Sequence, residues 1–306
     1  MKNNKGFAIT SIIYAMLILF LGLIFLILGN LASRKAMFDK EKNEILSRFN
    51  GDDDALRKYK NGEVVYFNVT TGSKCSSSDY TETQSNTGTK SGCMKFYAFN
   101  DDGGNTLNLI LDHNTTAKVA WNSSGSNASG PLTALTQLKN DTDGWKGTIT
   151  PTNYTLDQTG QPSNAKYTID YSSYKARLIT AQEIAQITGN TPWNEKVAVN
   201  SNWYYFDSKT TTASTTCTDG NTTGCKYGWL YDRTSTSCTN RGCLNNADSS
   251  MTGYGYWTST PRASYSYGAW VVDYGGTLGS SSDGVGRGGS RYGVRPVITI
   301  PKSQMQ

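Results

Sequence analysis

Between Gly6 and Ser33 the chain carries no Asp, Glu, Lys or Arg, and from Phe7 to Leu28 it is dominated by Ile, Leu, Phe and Met. A helix crosses a bilayer core with roughly 20 apolar residues, so this run predicts a membrane-spanning helix over residues 7–33. A cleavable secretory signal has a shorter apolar core followed by a small-residue cleavage site. Here the run passes instead into charged, helix-favouring sequence. Ala36, Met37, Ile45, Leu46, Phe49 and Leu56 recur among Lys, Glu and Asp, which predicts an amphipathic extension and linker over residues 34–58, with the helix ending near Asn50-Gly51-Asp52.

The rest of the chain has the opposite character. With most of the whole chain's 19 Tyr and 31 Gly, all 7 Trp, and long runs of Ser, Thr and Asn, it favours strands joined by many loops over a helical bundle. Strands are expected at Glu63 to Val69, Met94 to Phe99, Thr106 to Leu111, Gly255 to Thr260, Ala269 to Tyr274 and Gly293 to Ile300. Asp101 to Asn105 reads as a hairpin connection between two of them. Pro131 to Leu138 and Thr180 to Gly189 read as helices, the second with a Thr cap answered by Glu183 and a closing glycine. The expected fold class is α+β: a long N-terminal membrane-spanning α-helix, then a β-rich domain with short helices over residues 59–306.

Charge excludes one class of partner. The formal net charge is +5, but the cations are scattered, and a phosphate-binding surface needs them clustered. No nucleic-acid partner is expected. The cysteines say more. All six lie beyond the apolar run, in sequence-near pairs: Cys75 with Cys93, Cys217 with Cys225, Cys238 with Cys243. An even count in an exported, loop-rich domain points to disulfides, although six cysteines permit fifteen connectivities. Zinc is the rival reading, weakened by the lack of any CxxC and by a lone histidine, His113, remote from every cysteine. No metal and no cofactor is expected.

The opening residues MKNNKGFAITSII, Met1 to Ile13, resemble the start of a type IV prepilin: a short basic leader, a glycine, an aromatic residue, then an unbroken apolar segment. The resemblance implies cleavage by a prepilin peptidase between Gly6 and Phe7, methylation of the new N-terminus, and other pilin-like subunits as partners. Residues 1–6 are then the leader. One departure is clear. The family usually places a glutamate five residues after the glycine, which docks the subunit into a filament, and this chain has Ser11. That favours a minor or tip subunit, or a protein that is only anchored. Lys2 and Lys5 face Arg34, Lys35, Lys40 and Lys42 across the apolar run, so loop charge alone leaves orientation open. The cysteine pairs and the Asn- and Ser-rich composition place the large domain outside.

Ala176 to Glu183 (ARLITAQE), Tyr256 to Thr260 (YWTST), Ala269 to Val272 (AWVV) and Tyr292 to Ile298 (YGVRPVI) resemble the C-type-lectin-like fold, in the bacterial branch that includes formylglycine-generating-enzyme-like modules. The resemblance implies that Trp257, Trp270 and Arg295 are structural core. Neither activity of the family carries over. The enzyme's C-terminal cysteine pair has no counterpart after Cys243, and no Glu-Pro-Asn or Gln-Pro-Asp calcium tripeptide occurs. With one histidine there is no Ser-His-Asp group, and Gly284 to Gly289 is a loose glycine loop. An enzyme is not expected.

Between these framework runs the vocabulary changes. Arg262 to Gly268 (RASYSYG) and Gly275 to Arg291 (GGTLGSSSDGVGRGGSR) combine Tyr and Arg with Ser, Gly and Asp. Tyr supplies rigid amphipathic area at recognition surfaces and Ser and Gly supply adaptable hydrogen bonding. Tyr265, Tyr267, Tyr274, Ser281, Asp283, Arg287 and Arg291 are therefore the ligand-binding candidates, with plain solvated loops as the competing reading. Three functions follow: a membrane-anchored, adhesin-type surface protein with an unknown glycan or protein ligand, a structural minor pilin, or a degenerate formylglycine-generating-type enzyme. Ser11 and the large domain favour the first.

Overall fold

Val65, Phe67, Phe96, Ala98, Leu107, Leu109, Ile298 and Ile300 occupy alternate positions on four strands, and all are buried. With a side-chain period of two, that alternation fixes register, because a one-residue slip would turn every one of them outward. In this computed structural model the described residues are 57–80, 92–116, 118–189, 204–207, 225–231, 255–273, 276–280, 284–286 and 292–306, with scattered positions between 14 and 39. Strands β1 (Val64–Asn68), β2 (Ser73–Lys74), β3 (Cys93–Phe99), β4 (Thr106–Leu111) and β12 (Val297–Pro301) form one antiparallel sheet in the order β12-β4-β3-β1-β2.

Helix α1 (Leu132–Thr142) and the hairpin of β5 (Tyr154–Asp157) and β6 (Lys166–Ile169) follow, then helix α2 (Ala181–Thr188). A second sheet has the order β11-β8-β9-β10-β7, built from β7 (Tyr204–Tyr205), β8 (Gly255–Pro261), β9 (Ala269–Asp273), β10 (Thr277–Ser280) and β11 (Tyr292–Gly293). All its pairings are antiparallel except β11 with β8. Two hydrophobic clusters hold the elements together. One joins the inner face of the first sheet to α1, Trp257 and Val271, and the other joins α2 to Phe99, Tyr256, Trp270 and Val272.

The chain divides into two compact units, residues 1–53 and 54–306. The expected fold class needs correction in the first. Described positions there are helical, and residues 16–22 among them are exposed, yet among the described residues no helix is long and apolar enough to cross a membrane. The long N-terminal membrane-spanning helix is not seen among the described residues. The β-rich second unit, with short helices, is compatible with the expectation.

A smaller correction concerns Gly293 to Ile300, expected as one closing strand. The run is shared between the sheets: Gly293 pairs with Tyr256, whereas Val297 to Pro301 pair with Ile110 to Thr106. Pro296 between them has no N–H to continue a ladder, and Arg295 is fully buried. Helix α2 begins with a capping box. Thr180 Oγ1 accepts from the Glu183 amide, the Glu183 carboxylate accepts from the Thr180 amide, and Gly189 closes the helix at φ 71°. The same carboxylate takes both guanidinium nitrogens of Arg177, at 2.8 and 2.6 Å. Burial would push the Glu183 carboxyl up, but Arg177 and Thr180 outweigh it and hold it below the usual range.

Candidate functional site

The β8–β9 hairpin closes through residues 262–268, and three backbone bonds give that loop its shape. Arg262 N donates to Gly268 O at 3.0 Å, Tyr265 N to Arg262 O at 3.3 Å, and Gly268 N to Tyr265 O at 3.2 Å. The loop is also held from beneath. Asn127 is fully buried, and its side-chain Nδ2 donates to the carbonyls of Arg262 (3.0 Å), Tyr265 (2.9 Å) and Gly268 (2.7 Å). An amide nitrogen carries two hydrogens, so three carbonyls share them. The Asn127 backbone N adds a bond to Ser266 O at 2.8 Å, and Val285 N reaches Tyr267 O at 2.8 Å. With its carbonyls satisfied from within, this loop is a fixed platform.

Tyr265 and Tyr267 stand on that platform, 43% and 54% exposed. Their ring centroids are 5.5 Å apart at 75°, an edge-to-face pair. The Arg262 guanidinium lies 5.6 Å from the Tyr265 centroid and its Nε donates to Ser264 Oγ at 2.9 Å. This places a cation beside an aromatic ring on an exposed turn.

A groove of about 540 Å³ opens between the 119–124 segment and the first turns of α1. Asn122, Ser123, Ser124, Thr133, Thr136 and Gln137 line it with Val119 and Leu132, and none of these side chains is charged. Groove and tyrosine loop share one set of hydrogen bonds. Asn122 N donates to Val285 O at 3.0 Å and Val285 N to Tyr267 O, while Ser123 N donates to Thr133 Oγ1 at 2.8 Å. Gly286 and Gly125 pack backbone on backbone, so closely that a Cβ on Gly286 would lie 2.5 Å from Gly125 Cα. Only glycine permits that approach.

The three framework residues lie inside. Trp257 is fully buried, donates Nε1 to Val119 O at 2.8 Å, and meets the Tyr292 ring edge-on at 4.9 Å. Trp270 is 3% exposed. Arg295 donates Nε to Leu111 O, Nη1 to Leu230 O at 3.0 Å and Nη2 to Trp229 O at 2.9 Å. Its guanidinium also lies 5.1 Å from the Tyr256 ring. Burial pushes the Tyr256 hydroxyl up to about 12. Arg295 thus ties β11 and β12 to β4 and to the 229–230 turn.

Of the seven nominated ligand residues, the structure brings Tyr265 and Tyr267 together, while Tyr274, Ser281, Asp283, Arg287 and Arg291 lie outside the described residues. Gly6 and Phe7 also lie outside them. Cys75 is bonded to Cys93 across 18 residues, and Cys225 is in a disulfide. Cys217, Cys238 and Cys243 lie outside the described residues, and among the described cysteines none is free. The single histidine is engaged, with His113 Nδ1 2.5 Å from Asp112 Oδ1. Among the described residues no group of three or more His, Cys, Asp or Glu is placed to hold a metal ion.

Sequence reasoning missed Asn127. It sits in Ser124 to Gly130 (SGSNASG), where a loop-anchoring asparagine looks like its polar neighbours, and the carbonyls it serves lie more than a hundred residues away. No family model, curated protein or solved structure matches the chain.

Proposed function

We propose that the chain is a membrane-anchored, pilin-like surface protein whose 54–306 unit is displayed outside the cytoplasm as a ligand-binding, adhesin-type domain. The observation that carries this reading is the Tyr265–Tyr267 pair, two large aromatic side chains left half-exposed on a loop whose backbone Asn127 fixes from the interior. Preorganising such side chains lowers the ordering cost of binding, and rigid aromatics supply contact area with little rotamer entropy to lose. The groove beside them, with no charge in its lining, suits the neutral polar part of a glycan or protein surface.

The Cys75–Cys93 disulfide supports an oxidising location. The uncharged stretch Gly6 to Ser33 serves as the anchor in this reading, with the short basic leader inside and prepilin-type processing between Gly6 and Phe7. No reaction is assigned. Two measurements test the reading together: digestion of intact cells by an external protease, and adhesion of those cells to immobilised glycans, matrix proteins and other bacteria. The domain should be digested from outside, and cells carrying it should adhere to at least one surface that cells lacking it do not. Protection from the protease contradicts the placement; exposure without any gain in adhesion favours a purely structural filament subunit.

A further inference from the structure

Lys302 is a buried cation near the C-terminus, at 1% exposure, and the contacts of its ammonium tie distant segments of the chain together. Nζ lies 2.9 Å from Asp101 Oδ1 and 2.8 Å from Oδ2, and donates to Arg57 O at 2.9 Å. The ammonium thus donates to Arg57 O and Asp101 Oδ1 and is ion-paired with Oδ2. Asp101 is equally committed, since Oδ2 accepts from Tyr59 N at 2.7 Å and Oδ1 from Gly103 N at 2.8 Å. Nearby, Arg57 pairs with Glu63, its guanidinium lies 3.9 Å from the Tyr59 centroid, and Lys302 N donates to Asn105 O at 2.8 Å.

The position of this knot along the chain gives it a purpose. Residues 57–59 lead from the N-terminal segment into β1. Without the knot, tension on that segment would reach the end of the β1–β3 pairing first, where Gly62 and Glu63 exchange backbone bonds with Ala98 ahead of Val64 opposite Tyr97. Strands loaded at one end unzip, losing their hydrogen bonds singly and in sequence. With the knot, Arg57 and Tyr59 are fastened before β1 begins, to the β3–β4 connection through Asp101 and to the end of β12 through Lys302. From Lys302 the backbone runs through β12 to Arg295 and β11, and β11 pairs in parallel with β8, the strand that leads into the tyrosine loop. A load between the anchor and a ligand at Tyr265 thus crosses the buried ion pair and passes through β12 and β11 to β8.

We propose that Lys302 and Asp101 form a force-bearing clamp that transmits tension from the membrane-side segment to the recognition sheet without peeling β1. This rests on the reading of the chain as a surface anchor carrying a binding domain, since only then does tension act between those two points. A buried ion pair contributes little net stability over an apolar pair of similar volume. A mechanical role explains one placed at this junction, because it resists displacement of the backbone it grips.

The test is single-molecule pulling of the full-length chain in detergent, in two geometries. In one, handles at Gly51 and Tyr265 draw the load across the clamp; in the other, handles at Tyr265 and Gln306 load β12 directly through the backbone. Lys302→Met should lose a larger fraction of its unfolding force in the first geometry than in the second. Asp101→Asn, which keeps one acceptor oxygen for one of the two backbone amides and removes the charge facing Lys302, should show the same asymmetry, and decides the matter if Lys302→Met does not fold. Equal fractional losses in both geometries would reduce the pair to an ordinary stability element and overturn the proposal. Protease access and adhesion of intact cells report separately on the surface reading.

Discussion

Asn127 Nδ2 lies 2.9 Å from the Tyr265 carbonyl, a hydrogen bond between a buried side chain and an exposed loop 138 residues further along the chain. The same nitrogen serves Arg262 and Gly268, so removing it takes a donor from three carbonyls at once. Asn127→Ala should cost about 1–3 kcal/mol, the usual penalty for buried acceptors that lose a donor. It should also speed amide hydrogen exchange across residues 262–268 more than in α2. Asn127→Asp should be worse, because a carboxylate facing those carbonyls repels them. Exchange rates in the loop unchanged by either substitution would show that the backbone bonds alone set its shape.

The tyrosines and tryptophans should separate cleanly. Tyr265→Ala and Tyr267→Ala remove half-exposed rings and should change stability by less than about 0.5 kcal/mol. Trp257→Ala opens a cavity and takes the indole donor away from Val119 O, and should cost roughly 3–5 kcal/mol. Denaturant midpoints of the three variants check this. Comparable losses at Tyr267 and Trp257 would mean that the tyrosine is part of the core.

Acid stability follows from two carboxylates. Burial alone would raise Asp101, but Lys302 and the amides of Tyr59 and Gly103 hold it below its ordinary value of 3.8. Glu183 is likewise held below 4.5. For groups with depressed folded values the stabilisation is present above the ordinary value and is lost as pH falls through the folded one. Stability contributed by these groups should therefore be flat from neutral pH to about pH 5 and fall below that. Asp101→Asn should be less stable than the parent at pH 7 and should converge with it in acid. A variant whose deficit persists unchanged to low pH would show that Asp101 is not ionised in the folded state.

Thiol chemistry checks the compartment argument. Alkylation before reduction should label none of the six cysteines, and Cys75→Ser with Cys93→Ser should cost on the order of 3 kcal/mol, as expected for a bridge closing a loop of similar length. Several free thiols in protein taken from intact cells would contradict the exported placement.

Local patterns were legible and distant ones were not. The alternation in Glu63 to Val69 and Thr106 to Leu111, and the Thr180-Glu183-Gly189 punctuation of α2, are written within a few residues of the elements they define. The break at Pro296 could be read as a weakness in a strand, but not as a crossing between sheets, since β4 and β8 decide that. Helix α1 runs to Thr142 rather than Leu138 because Thr142 and Leu138 are both buried, with Leu138 in the first sheet's core and Thr142 Oγ1 bonded to its carbonyl, a fact of packing. Asn127 and Lys302 were invisible for the same reason. Each is a single polar residue whose partners are set by topology, so no spacing in the sequence announces it. The tyrosine loop was found by its composition, and the groove beside it by structure alone.

Adhesion of cells displaying the Tyr265→Ala/Tyr267→Ala double variant tests the central claim most directly. It is measured against the parent on whichever glycan, matrix protein or bacterial surface the parent binds, with surface display matched by antibody. Removing both rings takes away the exposed aromatic area while leaving Asn127 and the loop backbone in place, so folding and display should be retained and adhesion should fall by at least about tenfold, or 1.4 kcal/mol, the scale of a single interface hot spot. A double variant that is displayed normally and adheres as well as the parent would contradict the account and move the recognition surface away from this loop.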